Sequence, residues 1–391
     1  MKAKSFVLVF LLLLSTACGS VRDEKQERAY RAATAKGDIL IGAPAPWTQR
    51  SNTVKFYRHG LEMAVDEVNG RGGVLGRKIR LLMEDDEGTV EKGRIIAQRF
   101  ADNPDVVAVI GHFNAYVSIP VSITYEYHGL LMLVPTTTSA ELTSRSGFQY
   151  IFRSVPTEAY LAERVAKAIG DRALSRVMVY FYNDDYGRSM ANAFEHCAGN
   201  HGCMVLDRLS YDSTSTEKTF RRDLNRWKRT FTFDAIFIAG RTPQAATFIA
   251  EARRMGIDVP IFGGNAMDSP TLFEAGGKAV NGTIVGTFFH PDDTDLETLD
   301  FDRDFTARYG ERPNSWAAQG YDAVKLLAHA MEKAGNTVPI EVARAMAAIQ
   351  GWMGVTGPHS FDANGNVRGN EVDLIVARDG KFEFLRPPKH Q

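Results

Sequence analysis

Cysteine is scarce: only Cys18, Cys197 and Cys203 occur among 391 residues. That excludes a disulfide-built scaffold, which carries cysteine far more densely. Surplus charge is also missing. Lys and Arg number 46 against 47 Asp and Glu, a formal net charge of −1. Such a balance gives no electrostatic footprint for nucleic acid or for an anionic membrane surface. No apolar run is long. Phe6 to Leu14 falls short of the roughly 20 residues a membrane span needs. Catalytic signatures are missing as well: no H-E-x-x-H, G-x-S-x-G or Walker A pattern occurs. The run GRGGVLG (Gly70 to Gly76) lacks the dinucleotide spacing, and it follows a helical stretch and precedes a strand, the reverse of what phosphate binding needs. GRSMA around Ser189 comes close to a nucleophile elbow, but it opens a helix after a loop, so capping accounts for it better.

What is present is an ordinary globular balance, 44% hydrophobic and 24% charged, long enough for two domains. The first residues stand apart. Lys2 and Lys4, the apolar run and the small residues after it read as an export signal over residues 1–17. The ending LSTAC resembles a bacterial lipobox, with Cys18 as the lipidated residue and Ser15 where that motif usually has leucine. Plain secretion with cleavage after Ala17 is the rival reading. Residues 18–37 are charged and lack strong periodicity, which reads as a tether. Cys197 and Cys203 bracket a short polar loop, HCAGNHGC. Export to an oxidising compartment favours a disulfide between them, ahead of free thiols. A metal site with His196 and His201 comes last, because the spacing is not that of a standard zinc site.

From Asp38 onward, short apolar runs alternate with stretches of helical period. DILIGA, KIRLLME, VVAVIG and LLMLV read as strands, with Ser51 to Val68, Glu91 to Phe100 and Val117 to His128 as helices between them. Strand and helix in alternation predict a parallel sheet covered on both faces, with ligands beyond the carboxyl ends of its strands. The hydroxyl run Thr136, Thr137, Thr138 and Ser139 follows LLMLVP, so it falls at such an end and can donate into a crevice. Ser139 is better placed to cap the next turn. A second alternating run extends from Leu161 through GTIVGTFF. Trp316 to Ala334 is a long late helix, and the segment from Phe361 to Leu385 reads as a β meander with Asn364-Gly365 and Asp379-Gly380 turns. The expected fold class is α/β: two doubly wound parallel-sheet lobes.

VDEVNGRGGVLGRKIRLLMEDDEGTVEKG resembles the early signature of the leucine/isoleucine/valine-binding proteins, type I periplasmic solute-binding proteins serving ABC importers. AVIGH, LVPTTTSAELT, YIFRSVPTEAY, DDYGRSMANAFE, EARRMGIDVPIFGG, WAAQGYDAV and VTGPHSFDANGNV follow in family order, together covering nearly all of Ile39 to Phe384. The resemblance implies two lobes joined by hinge strands and closing over a ligand, with an N-lobe of 38–155 and 289–350 and a C-lobe of 156–288 and 351–391. It also implies a ligand site. Asn114 and Ala115 fall in the loop after IGH, Ala115 standing where branched-chain binders have a carboxylate-holding serine. Thr136 and Thr138 match residues that bond the ligand, Tyr186 an aromatic that closes over it, and Trp47 a side wall. Arg241 stands where some relatives have tyrosine, and Asn265 where branched-chain binders use a glutamate for the ammonium.

The departures at Ala115 and Asn265 widen the expected ligand from an amino acid to a related carboxylate or amide, since a buried charge without its partner is costly. Asp268, Asp184 or Asp185 are the alternatives for holding an ammonium. The expected partners are a small-molecule ligand and an ABC permease, with the membrane reached through the lipid anchor, on the periplasmic or extracellular side. Neither cofactor nor metal is expected, nor catalysis. A receptor subunit signalling through a partner protein is the alternative, because related lobes serve as receptor ectodomains. His112 is expected to make a structural hydrogen bond, and Trp316 and Tyr321 to belong to the lobe core.

Overall fold

A computed structural model describes residues 24–49, 51–144 and 147–385. Residues 24–34 form a first helix, α1. Then come β1 (Ile39–Ala45), α2 (Asn52–Gly70), β2 (Ile79–Asp85), α3 (Val90–Asp102), β3 (Val106–Ile110), α4 (Ala115–His128), β4 (Leu131–Val134) and β5 (Ile151–Arg153). These five strands form one sheet in the order β2-β1-β3-β4-β5, and every pairing is parallel. β3 and β4 are buried along their whole length, as strands covered on both faces must be.

The chain then builds a second lobe. It runs α5 (Glu158–Gly170), β6 (Arg176–Tyr182), α6 (Asp185–Ala198), β7 (Met204–Tyr211), α7 (Glu217–Thr230), β8 (Ala235–Ala239), α8 (Gln244–Arg254), β9 (Ile261–Gly263), α9 (Thr271–Gly276) and β10 (Ile284–Thr287). α10 (Leu296–Tyr309), α11 (Ser315–Ala334) and α12 (Pro339–Ala347) return to the first lobe, where Phe305, Trp316, Val324, Leu327 and Met346 share a core with Tyr57, Leu61 and Ile110. α11 lies against α2, and Gly60 and Gly320 let the two backbones approach closely. β11 (Trp352–Gly354), β12 (Gly357–Phe361) and β13 (Val367–Arg368) make a small antiparallel sheet. β14 (Asp373–Arg378) and β15 (Lys381–Phe384) then add antiparallel edges to the second-lobe sheet, whose order is β15-β14-β10-β9-β8-β6-β7.

The structure differs from the sequence reading in three places. The tether of 18–37 contains α1, whose Arg28 is buried and donates to the carbonyls of Ala101, Asn103 (2.7 Å) and Val106 (2.6 Å). Three backbone acceptors around one guanidinium hold this helix where periodicity alone gave no sign of one. The segment 351–391 does not go wholly to the C-lobe. Val355, Phe361 and Val367 pack with the first-lobe core, and the C-lobe sheet resumes only at β14.

The third difference is at the cysteines: Cys197 and Cys203 are buried and free, not a disulfide. Cys197 Sγ turns to the Phe194 carbonyl at 3.5 Å, while Cys203 Sγ faces Ala166 O at 3.6 Å. Burial pushes both thiols up, that of Cys197 to about 12, so neither is a ready nucleophile. Alkylation in denaturant without reductant is therefore expected to add two groups at this pair. An intact mass showing neither modified would mean the bond forms after all. Cys18 and the export signal lie outside the described residues.

Candidate functional site

The carboxyl ends of the two parallel sheets face one another across a cleft of about 650 Å³. On the first lobe, β3 delivers Phe113 and Asn114 to its rim. His112, just before them, is buried; its Nδ1 lies 2.8 Å from Asp86 Oδ2 and its Nε2 3.1 Å from Tyr125 Oη, the structural hydrogen bonding expected of it. Phe113 is wedged between the rings of Trp316 and Tyr57, 5.2 and 5.3 Å away. Asn114 caps α4 by backbone position alone, so its side-chain amide is not spent on the helix end and lines the cleft. Tyr116, the second residue of α4, donates to Gly88 O at 3.0 Å and adds an aromatic wall. Gln49, Ser51 and Thr53 complete this side.

On the second lobe the wall is an ion pair. Arg241, just beyond β8, donates to Asp184 Oδ2 through Nε at 3.0 Å and Nη2 at 2.7 Å. Asp184 also caps α6, accepting from Gly187 N at 2.8 Å. Burial works against the Arg241 charge, but the adjacent Asp184 outweighs it and raises the guanidinium above its ordinary value. The guanidinium lies 5.2 Å over the ring of Tyr186. Tyr182, Asp212 and Ser213, at the ends of β6 and β7, fill out this side.

Of the residues singled out from sequence, Asn114, Asp184 and Arg241 line the cleft. Trp47 lines an adjoining hollow, parallel to Tyr57 at 5.9 Å, its indole N–H on Ala43 O at 3.0 Å. Ala115, Thr136, Thr138, Tyr186 and Asn265 are buried and are not among the lining residues. Their polar groups are engaged within the protein. Thr136 Oγ1 donates to Phe113 O at 2.7 Å, and Thr138 Oγ1 to Glu158 Oε1 at 3.1 Å. Tyr186 Oη donates to Asn265 Oδ1 at 3.3 Å. Gly264 leaves room for that hydroxyl, since a Cβ there would meet it at 2.3 Å. Ser139 accepts from Glu141 N, the capping role read for it.

Tyr116 falls in the loop after IGH that the resemblance marks for the ligand, though not as a contact; sequence reasoning passed over Tyr182, Asp212 and Ser213. A usable signal existed for the last three: each falls at the end of an apolar strand run, where a crevice is expected. Trp316 was read as core. It is buried, yet it also lines the cleft and joins the lobes, its indole N–H donating to Asp268 O at 3.0 Å. Asn52 makes a second bridge, to Glu274 Oε1 at 2.9 Å.

Two buried carboxyls sit where the lobes meet. Glu158 accepts from Thr138 of the first lobe and from Ser189 of the second. Burial pushes it up to about 7, against the pull of those hydroxyls and the Arg153 charge. Asp268, buried and accepting from Thr287 Oγ1 at 2.5 Å, is likewise pushed up to about 7 by burial. In each, the folded state keeps a proton that the unfolded chain has already lost above its ordinary pKa. Stability therefore falls as pH rises from about 4.5 to about 7. Glu158→Gln is expected to flatten part of that fall, by on the order of 1–3 kcal/mol between pH 5 and 8. Melting temperatures of both proteins across this range test it; parallel curves would mean Glu158 is ionised throughout.

A cleft between two α/β lobes, lined from both and crossed by few bridges, defines a two-lobe solute-binding protein. The family model described as "Periplasmic binding protein" matches residues 49–381, and the chain belongs to that family, as a type I protein of its leucine/isoleucine/valine-binding group. Membership makes it an extracytoplasmic solute-binding protein. It is 28% identical over 363 residues to Leu/Ile/Val-binding protein homolog 2 of Brucella abortus, covering 90% of this chain and 95% of that one. An ABC transporter substrate-binding protein from Desulfitobacterium hafniense, solved in complex with Leu, is 39% identical, with a TM-score of 0.79 over 89% of this chain and 100% of that one. A leucine-binding protein from Thermotoga maritima superposes with a TM-score of 0.82 at 25% identity, over 89% and 98% of the two chains.

Proposed function

We propose that this protein captures a small polar solute, an amino acid or a related carboxylate or amide, between its lobes and delivers it to an ABC permease. We further propose that lipidation of Cys18 anchors it to a membrane. The observation that carries the reading is the 650 Å³ cleft lined from both lobes, with Asn114 and Tyr116 opposite the Arg241–Asp184 pair. A ligand touching both walls favours their approach, because closure adds contacts that the separated lobes lack. The Desulfitobacterium protein's bound Leu and the Brucella protein's name support an amino acid as the first class to try. The second-lobe wall argues for a ligand with polar groups, since an apolar one would leave the ion pair buried without replacing its water. The test is a thermal-shift screen of the mature chain against branched-chain and other amino acids, carboxylates and amides. A ligand at 100 times its Kd is expected to add about 2.7 kcal/mol of stability. No shift from any of these classes would overturn the reading.

A further inference from the structure

We propose that the groove beside α10, where the chain crosses between the lobes, docks a basic amphipathic segment of a partner protein. Two hollows of about 460 and 240 Å³ meet there, sharing Glu297 and Met353 to Val355. α2, α10 and α11 wall the first. The second is walled by Phe288 and His290, which lead from β10 to α10, and by Gly369 and Glu371, which lead into β14. Buried Asp322 of α11 accepts from Val355 N at 3.0 Å and Thr356 N at 2.8 Å, which fixes the β11–β12 turn as the groove's floor. Neither hollow shares a lining residue with the ligand cleft, so a partner held here leaves that cleft open.

Charge and apolar exposure define the occupant. Residues 292–304 hold seven carboxylates against Arg303 alone, in a chain whose formal net charge is −1. Arg303 spans Asp300 and Asp304 at 2.6 and 2.7 Å, and Arg312 spans Asp292 and Asp302 at 2.7 and 2.8 Å. Asp293, Asp295 and Glu297 are left without an ion pair among the described residues. At the far end Lys325 and Arg71 are taken up by Glu67, at 3.1 and 3.8 Å, so the surplus stays negative. Among the described residues no three of these carboxylates gather as a metal site, so the acid is spread along the groove. Beside it α10 exposes Leu296 and Leu299, 75% and 47% accessible and one helical turn apart, and β11 exposes Met353 at 50%. An apolar patch rimmed by charge marks an interaction surface. The acid repels nucleic acid and an anionic lipid surface. It attracts a segment with lysine or arginine on one face and apolar residues on the other.

The probe is a fluorescent peptide of about 14 residues, with leucine on one helical face and lysine on the other, titrated with the mature chain by anisotropy. The same peptide with glutamate for lysine is the control. The lysine peptide is expected to bind one-to-one and to weaken by roughly tenfold between about 0.05 and 0.5 M salt, and the glutamate peptide not to bind. Leu296→Ser with Leu299→Ser is expected to cost about tenfold or more in Kd. Asp295→Asn with Glu297→Gln is expected to cost about 3- to 10-fold and to flatten the salt dependence. All four side chains are exposed, so melting temperatures are expected to stay unchanged. Asn114→Ala, in the cleft, is expected to leave peptide binding as it is. Wild-type affinity in both paired variants, binding of the glutamate peptide, or loss of binding in Asn114→Ala would overturn the proposal. So would sedimentation equilibrium showing the chain alone as a dimer that the leucine substitutions dissolve, which would give this face to a second copy.

Discussion

Arg241→Ala is expected to weaken ligand binding more than any other single change in the second-lobe wall. The guanidinium is the cationic half of a pair whose side chains are only 27% and 13% exposed. Removing it leaves the Asp184 carboxylate facing the cleft alone. Breaking a fully buried pair costs about 3–5 kcal/mol, and partial exposure here brings that to about 1–3 kcal/mol. A ligand carboxylate then meets an unscreened negative wall, and a further loss of about 10- to 100-fold in Kd is expected. Asp184→Asn keeps the oxygen that caps α6 while removing the charge. The double variant should therefore recover stability but not affinity. If calorimetry gave both variants wild-type affinity, the ligand would not touch this wall.

Gly60→Ala is expected to give the largest loss of stability. A Cβ at this position would sit 2.0 Å from Ala317 O, and one at Gly320 would sit 2.6 Å from Tyr57 O. Both obstacles are backbone, so α2 and α11 must part, and α11 carries much of the first-lobe core. Alanine gains about 1 kcal/mol in helix propensity, but overpacking at a backbone contact outweighs this, for a net cost of about 3 kcal/mol. A fall in melting temperature of about 5–10 °C is expected. Gly70→Ala, with nothing within 4 Å of its Cβ, serves as the neutral control. Equal melting temperatures for the two variants would contradict the close packing of these helices.

The fold was legible because its strands are buried on both faces. VVAVI and LLMLV are continuous apolar runs, and the helix between them ends at Gly129 in a left-handed conformation, the stop that glycine favours. The Asp379-Gly380 turn was legible for a related reason: both residues have positive φ, as a tight hairpin requires. α10 was not, because its apolar positions are interrupted by Glu297, Asp300, Asp302 and Asp304, and it buries only Thr298, Phe301 and Phe305. α1 was missed because it is held by an arginine among carbonyls, a long-range contact without local pattern. At the site, strand ends located the loops, but not which of their side chains turn inward. Thr136 and Thr138 were legible as residues at the right place; that their hydroxyls would meet Phe113 O and Glu158 depends on neighbours about 20 positions away.

Calorimetry with the ligand from the screen tests the central claim most directly, applied to wild type, to Asn114→Ala on one wall and to Tyr182→Ala on the other. The two-lobe cleft predicts a one-to-one isotherm for wild type, and a weaker Kd in each variant, by about 5- to 100-fold, with melting temperatures little changed. Wild-type affinity in both variants would place the ligand outside this cleft and contradict the account.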